Sequence, residues 1–282
     1  MFKRLLVAVD GSEYGFAALQ QALDIAQETE GTIYALYVID ARVTKLPYLI
    51  AAIPTSLTPE VGSAWAQWAT QITQGLRELG ETVLAQAKDR CAARGIPCET
   101  ELAEGNVGQT ILDRAQAADV IVMGRRGAGA RVGGPLLGSA FEAVVRHAPV
   151  PVLGVPREAR AIHRILVAYD GSERSRDALD AAAELALTGN RTIVLLTVDT
   201  NTTTCQRVLE EGTQLLAERG VSFVPILRAG HEAEVILQVA EEEQCDLIAM
   251  GAYGRRRFLE IFFGSTVDDV MRKTTLPILI AR

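Results

Sequence analysis

The chain of 282 residues has little of what marks the common catalytic chemistries. Its four cysteines, Cys91, Cys98, Cys205 and Cys245, form no CxxC pair, so zinc ribbons, thioredoxin-type centres and a disulfide framework drop out and reduced thiols remain. The three histidines, His147, His163 and His231, are scattered, with no HExxH and no Cys/His zinc spacing. No Gly-Lys pair occurs, which removes the GKS/T phosphate loop, and there is no G-x-S-x-G, HRD or DFG. No run of about 18 apolar residues is present, so no membrane span is expected. A net charge of −7 without a basic tail argues against a nucleic-acid or anionic-membrane surface. The opening Met1-Phe2-Lys3-Arg4-Leu5 runs into a strand-like segment without a cleavable leader, and the expected location is cytoplasmic.

What is present is a duplication. RLLVAVD at residues 4–10 returns as RILVAYD at 164–170, and both continue as Asp-Gly-Ser-Glu. Residues 7–27 and 167–187 share 10 identities in 21 positions without a gap. Later matches fall at a smaller offset: Gly105 answers Gly230, Met123-Gly124 answers Met250-Gly251, Gly138-Ser139 answers Gly264-Ser265, and Pro151 answers Pro277. The offset drops from 160 to about 126, so the first copy carries about 35 extra residues after its second strand. The expected domains are 1–157, with the extra segment at about 41–94, and 162–282.

Each copy alternates apolar β-branched runs with amphipathic stretches. In the first, strands are expected at 4–10, 32–39, 97–104, 120–124 and 150–155, with helices at 13–28, 107–118 and 138–147. The second repeats this order. Strand–helix alternation implies right-handed crossovers and a parallel sheet, and near-continuous apolar strands imply helices on both faces. Each copy is therefore read as a five-stranded doubly wound α/β domain.

The chemistry is expected in a loop. After Met250 the spacing is Gly251-x2-Gly254-x9-Gly264-Ser265-Thr266, with a helix starting at the end. Glycines admit close approach of backbone amides to a phosphate, and a helix start offers unpaired N–H groups and a positive dipole end. The loop leaves the carboxyl end of a parallel strand, where open α/β sheets bind ligands. Asp170 and Val198 end the first two strands of the same copy and should border the same crevice, the carboxylate able to accept from ribose hydroxyls.

A strand ending VA-x-DGS together with a late MG-x2-G-x9-GS-[TV] loop resembles the universal stress protein family, in its tandem form, over essentially the whole chain. The resemblance implies a flavodoxin-like or Rossmann-like fold for both copies, with strand order 3-2-1-4-5, and pairing of the copies through 150–155 and 277–281 into an internal pseudo-dimer. A further homodimer of chains stays open. It implies ATP as ligand, with ADP or AMP as alternatives and magnesium accompanying the triphosphate. Carried over by position, the contacts are Ala168, Tyr169, Asp170, Val198, Met250, Gly251, Tyr253, Gly254, Gly264, Ser265 and Thr266. The first copy gives Val9, Asp10, Val38, Met123, Gly124, Arg126, Gly127, Gly138 and Ser139. It departs from the pattern as Gly124-x2-Gly127-x10-Gly138-Ser139-Ala140, one residue longer and without the last hydroxyl.

Two features stay open at the level of sequence. Arg125, Arg126 and Arg131 flank the first loop and Arg255, Arg256 and Arg257 the second, either neutralising phosphate or decorating a solvated loop. In the extra segment, 41–62 reads as an apolar loop, and Trp65, Trp68, Ile72, Leu76, Leu79, Val83 and Ala87 mark an amphipathic helix over about 63–94, with Gly75 and Gly80 as bending points. That helix either packs on the sheet or serves as a lid or an interchain contact. The functional expectation is a nucleotide-binding stress-response module with partners reading its occupancy and little intrinsic catalysis. The alternatives are a slow ATPase or phosphotransferase, and a flavin or AMP binder.

Overall fold

A computed structural model describes residues 2–44, 59–127, 137–198, 202–252 and 265–282. In chain order the first copy contains β1 (Arg4–Ala8), α1 (Glu13–Thr29), β2 (Thr32–Asp40), α2 (Pro59–Ala93), β3 (Cys98–Gly105), α3 (Val107–Ala115), β4 (Val120–Gly124), α4 (Ser139–His147) and β5 (Val152–Val155). The second contains β6 (Arg164–Ala168), α5 (Glu173–Gly189), β7 (Thr192–Val198), α6 (Thr202–Glu218), β8 (Ser222–Arg228), α7 (Glu232–Glu242), β9 (Leu247–Gly251), α8 (Ser265–Lys273) and β10 (Ile278–Ala281).

The ten strands form one sheet in the order β3-β2-β1-β4-β5-β10-β9-β6-β7-β8. Within each half the strands are parallel and ordered 3-2-1-4-5, as the resemblance implied. The seam is antiparallel, with Leu153 opposite Leu279. Strands β1, β4, β6 and β9 are apolar along almost their whole length because helices cover both faces. On one face α1, α2, α5 and α6 pack around Val7, Val122, Val167 and Leu195. On the other, α3, α4, α7 and α8 pack around Leu6, Ile121, Leu166 and Ile248.

The repeated Asp-Gly-Ser has a backbone explanation in both copies. Asp10 Oδ1 accepts from the Ser12 amide at 3.0 Å, and Asp170 Oδ1 from the Ser172 amide at 3.0 Å, closing the turn after the first strand. Gly11 and Gly171 sit at φ +77° and +74°, a conformation that costs other residues energy. Ser12 Oγ then accepts from Gly15 N at 3.1 Å and Ser172 Oγ from Ser175 N at 3.2 Å, capping α1 and α5.

The insertion helix starts at Pro59, earlier than its apolar periodicity indicated, because proline is well suited to a first helical position where no N–H is needed. Residues 41–44 form a helical turn, and 45–58 lie outside the described residues. The far half of α2 packs on β2 and β3 through Val83, Leu84, Ala87 and Cys91. Trp68 and Leu79 remain nearly half exposed. Gly80 has a packing role: a Cβ there would lie 2.9 Å from the Tyr37 ring and 2.6 Å from Leu102. The described part of α2 thus covers the sheet on the α1 side, and Val83 touches the turn at Gly11.

Candidate functional site

On the opposite face, at the carboxyl ends of β1, β2 and β4, a small cleft opens to solvent. Ala8, Leu36, Val38, Ile111, Met123 and Phe141 make an apolar floor. Its polar rim is Asp10, Arg126, Gly127 and Gly138. Register explains the convergence: Ala8 lies beside Leu36 on one flank and Met123 on the other, and the pleat turns these side chains to the α3/α4 face.

Gly138 is the N-cap of α4, with extended backbone (φ −79°, ψ 141°) and no side-chain cap bond. Its amide donates to Arg125 O at 2.8 Å, which holds the start of α4 against the residue that follows β4. The first amides of α4 therefore begin at the cleft rim, where a helix presents its positive end. Asp10 supplies the opposite charge. Its Oδ1 is held by the Ser12 amide and hydroxyl, the latter at 2.6 Å, and its Oδ2 lies 2.8 Å from where a Cβ on Gly127 would be. Asp10 also raises the pKa of the Tyr37 phenol on the far side of the sheet, after the larger effect of burial. The cleft thus has an anion-favouring end, a carboxylate and an apolar slot.

Of the expected first-copy residues, Val9, Asp10, Val38, Met123, Gly124, Arg126, Gly127 and Gly138 all border this cleft. Ser139 opens α4 beside it. Gly124 has a second duty: a Cβ would sit 2.7 Å from Tyr14 Cβ, so glycine lets α1 press against β4. Gly251 serves α5 in the same way, 2.6 Å from the Arg174 carbonyl carbon. In the second copy Ala168 neighbours Met250 and Leu196, and Val198 follows on the same face. Ser265 and Thr266 open α8. Tyr253, Gly254 and Gly264, with Arg255, Arg256 and Arg257, lie outside the described residues, as does Arg131.

Two residues take positions that sequence did not foresee. The Tyr169 ring is turned to the α6 side, where its hydroxyl bonds Glu211 at 2.8 Å and burial raises its pKa, so only its backbone is available to the crevice. Arg125 points away from its loop. Its guanidinium, buried and with its pKa lowered by desolvation, donates to Met271 O at 3.0 Å and Thr274 O at 2.8 Å at the end of α8. It ties the two halves together rather than facing the rim. Arg126, by contrast, lines the cleft.

Sequence reasoning overlooked Ala8, Leu36, Val107, Ile111, Ala140 and Phe141 in the floor and walls. Ala8 was legible, since it is the counterpart of Ala168. The others are ordinary apolar core positions that carry no chemical signature. Among the described residues no group of three or more His, Cys, Asp or Glu is arranged for a metal. No helix among them is long and apolar enough to cross a membrane.

The sequence profile of the universal stress protein family matches residues 1–156 and again residues 161–282. The chain belongs to the universal stress protein family. Among its relatives, universal stress protein Slr1230 of Synechocystis sp. is 29% identical over 294 residues, covering 99% of this chain and 100% of the relative. A universal stress protein of Mycolicibacterium smegmatis is 28% identical over 298 residues, covering 99% and 96%. The crystal structure of a universal stress protein from Archaeoglobus fulgidus covers 100% of this chain and 99% of its own, with a TM-score of 0.77 at 22% identity. That likeness establishes the fold along the full tandem of this family member.

Proposed function

We propose that this universal stress protein is an adenine-nucleotide binder, with ATP the principal ligand, whose occupancy is read by partner proteins. The observation that carries the reading is the composition of the first cleft: an apolar slot between strand ends, a carboxylate at Asp10, and the start of α4 with Arg126. An aromatic base suits the slot. Ribose hydroxyls can donate to Asp10, and phosphates suit the helix start and the loop amides. Ala168, Asp170, Val198, Met250, Ser265 and Thr266 offer the same ingredients in the second half, with Tyr253, Gly254 and Gly264 completing the loop. We read the domains as 1–157 and 162–282, one nucleotide to each.

Catalysis is not part of this reading. Phosphoryl transfer needs a metal-holding acid and an oriented water or hydroxyl. Asp10 Oδ1 is committed to the turn through Ser12. Magnesium would arrive with the triphosphate, supplying charge neutralisation.

The test is direct. Nucleotide released from the purified protein should show adenine by mass spectrometry and an absorbance excess near 260 nm, whereas a yellow protein would favour flavin. Turnover of labelled ATP should stay below about 1 per second, a modest enzyme rate. Gly138→Asp, which puts a carboxylate at the helix start, should abolish uptake at the first cleft. Unchanged uptake by that variant would remove the assignment.

A further inference from the structure

We propose that the two nucleotide clefts are energetically coupled, with Arg125 and Arg282 as positioning residues that act through helices α8 and α4; this rests on the nucleotide reading above. The starting point is direction. The seam between β5 and β10 is antiparallel, so the carboxyl ends of the two halves lie at opposite edges of the sheet. Helices α4 and α8 share one face and run from one edge toward the other. Each has nine residues, about 13 Å of rise. Each therefore starts at the loop of its own half and ends near the other half's cleft edge.

An arginine meets each helix at its far end. Arg125, the second residue of the first loop, donates to Met271 O and Thr274 O at the close of α8. The backbone of the same residue is fixed to its own cleft: its N–H donates to Val155 O at 2.9 Å and its carbonyl accepts from Gly138 N at 2.8 Å. One residue thus holds the start of α4 with its main chain and the end of α8 with its side chain. Reciprocally, Arg282 donates to Arg146 O in the last turn of α4. Arg282 follows Ala281, whose carbonyl accepts at 2.7 Å from Ala252, the second residue of the second loop. A third link, Glu142 with Arg272 at 3.3 Å, joins the two helices between these ends.

The physical route is short. An anion at the first helix start engages the amides near Gly127 and Gly138. Any displacement of Gly138 moves the Arg125 main chain, and the guanidinium sits in a buried, packed setting that does not deform smoothly. A positive group at the end of α8 complements its negative dipole end and fixes its position along the axis. That position sets where its first amides stand at the second cleft. Occupancy of one site therefore favours the other, and coupling of this kind amounts to roughly 5-fold or more in affinity.

The test titrates the full chain with ATP and magnesium by calorimetry, with and without Ala8→Phe, which fills the floor of the first cleft away from Arg125. In otherwise native protein, closing the first cleft should weaken the second by about fivefold or more. In an Arg125→Met background that ratio should fall to about one, and Arg125→Lys, which keeps a cation there, should restore part of it. If Arg125→Met does not fold, Arg282→Met at the exposed chain end gives the same comparison, since it too should lower the ratio. A role as a simple staple would lower the melting temperature and leave the ratio untouched, which overturns the proposal. Two bound nucleotides with a ratio of one in native protein would overturn the coupling alone. No ATP uptake at either cleft would overturn the nucleotide reading and the coupling with it.

Discussion

Behind the third strand of each half the same three backbone positions are filled in opposite ways. The first half places Tyr34, Glu101 and Arg114 there, with the Arg114 guanidinium on Glu101 at 2.7 Å and the Tyr34 hydroxyl donating to the same carboxylate. The second half places Val194, Ile226 and Val239, all buried. A polar trio and an apolar trio thus stabilise the same crossover, as expected if a half-buried ion pair contributes little more than good apolar packing. The same exchange occurs twice more. Val9 and Tyr37 in the first half answer Tyr169 and Thr197 in the second, and the helix glycine moves with the ring, from Gly80 to Gly212. Arg125, Phe141 and Gly154 answer Ala252, Val267 and Ile280. Duplication kept the backbone and the Asp-Gly-Ser turn, while side chains changed in compensating sets. The set at Arg125, Phe141 and Gly154 reaches the first cleft through Phe141.

The largest effect is expected where a compensating set is split. A Cβ on Gly154 would lie 2.5 Å from the Phe141 ring and 3.1 Å from Arg125 Cγ. Gly154→Ile alone should destabilise by about 3 kcal/mol in urea unfolding, the upper range of overpacking. Combining it with Phe141→Val and Arg125→Ala, which transplants the second half's set, should recover much of that loss. No recovery would mean that the three positions do not act together.

A smaller effect separates the two capped turns. Ser12→Ala should cost about 1 kcal/mol, because Ser12 Oγ caps α1 and also donates to Asp10. Ser172→Ala should cost less. The Ser175 hydroxyl already bonds the Ser172 carbonyl at 2.9 Å and receives the Asp170 amide at 3.4 Å, so the second turn keeps other ties. Equal losses in thermal melting would count against this difference.

The smallest effect appears only in alkali. Burial, then the Glu101 hydrogen bond, pushes the Tyr34 pKa up from its ordinary value of 10.0 to about 12. A folded-state pKa raised above the unfolded one means that the neutral phenol stabilises the fold below pH 10, and that this contribution is lost as pH rises from about 10 through about 12. Tyr34→Phe should flatten the stability profile in that window. Because Tyr37 and Tyr169 are also shifted upward by burial, some alkaline loss should persist in the variant.

Much of this architecture was legible in the sequence because it is written locally. The duplicated strand–Asp-Gly-Ser–helix unit shows in residue order, and strand–helix alternation leads to parallel halves. The seam at Leu153 and Leu279 came from resemblance rather than from pattern. The destination of Arg125 was not legible, since its partners lie 146 and 149 residues away and no periodicity reports such a pairing. Nor was the cleft floor, where Leu36, Ile111 and Phe141 read as core. Tyr169 shows the converse: its place at a strand end was evident, yet the pleat turned its ring to the other face.

The most direct test of the account is the number of nucleotides bound per chain, measured by titrating ATP with magnesium into native protein and into Ala8→Phe. The account predicts two per chain with unequal affinities, falling to one in the variant. A count of zero in native protein, or of two in both proteins, would contradict it.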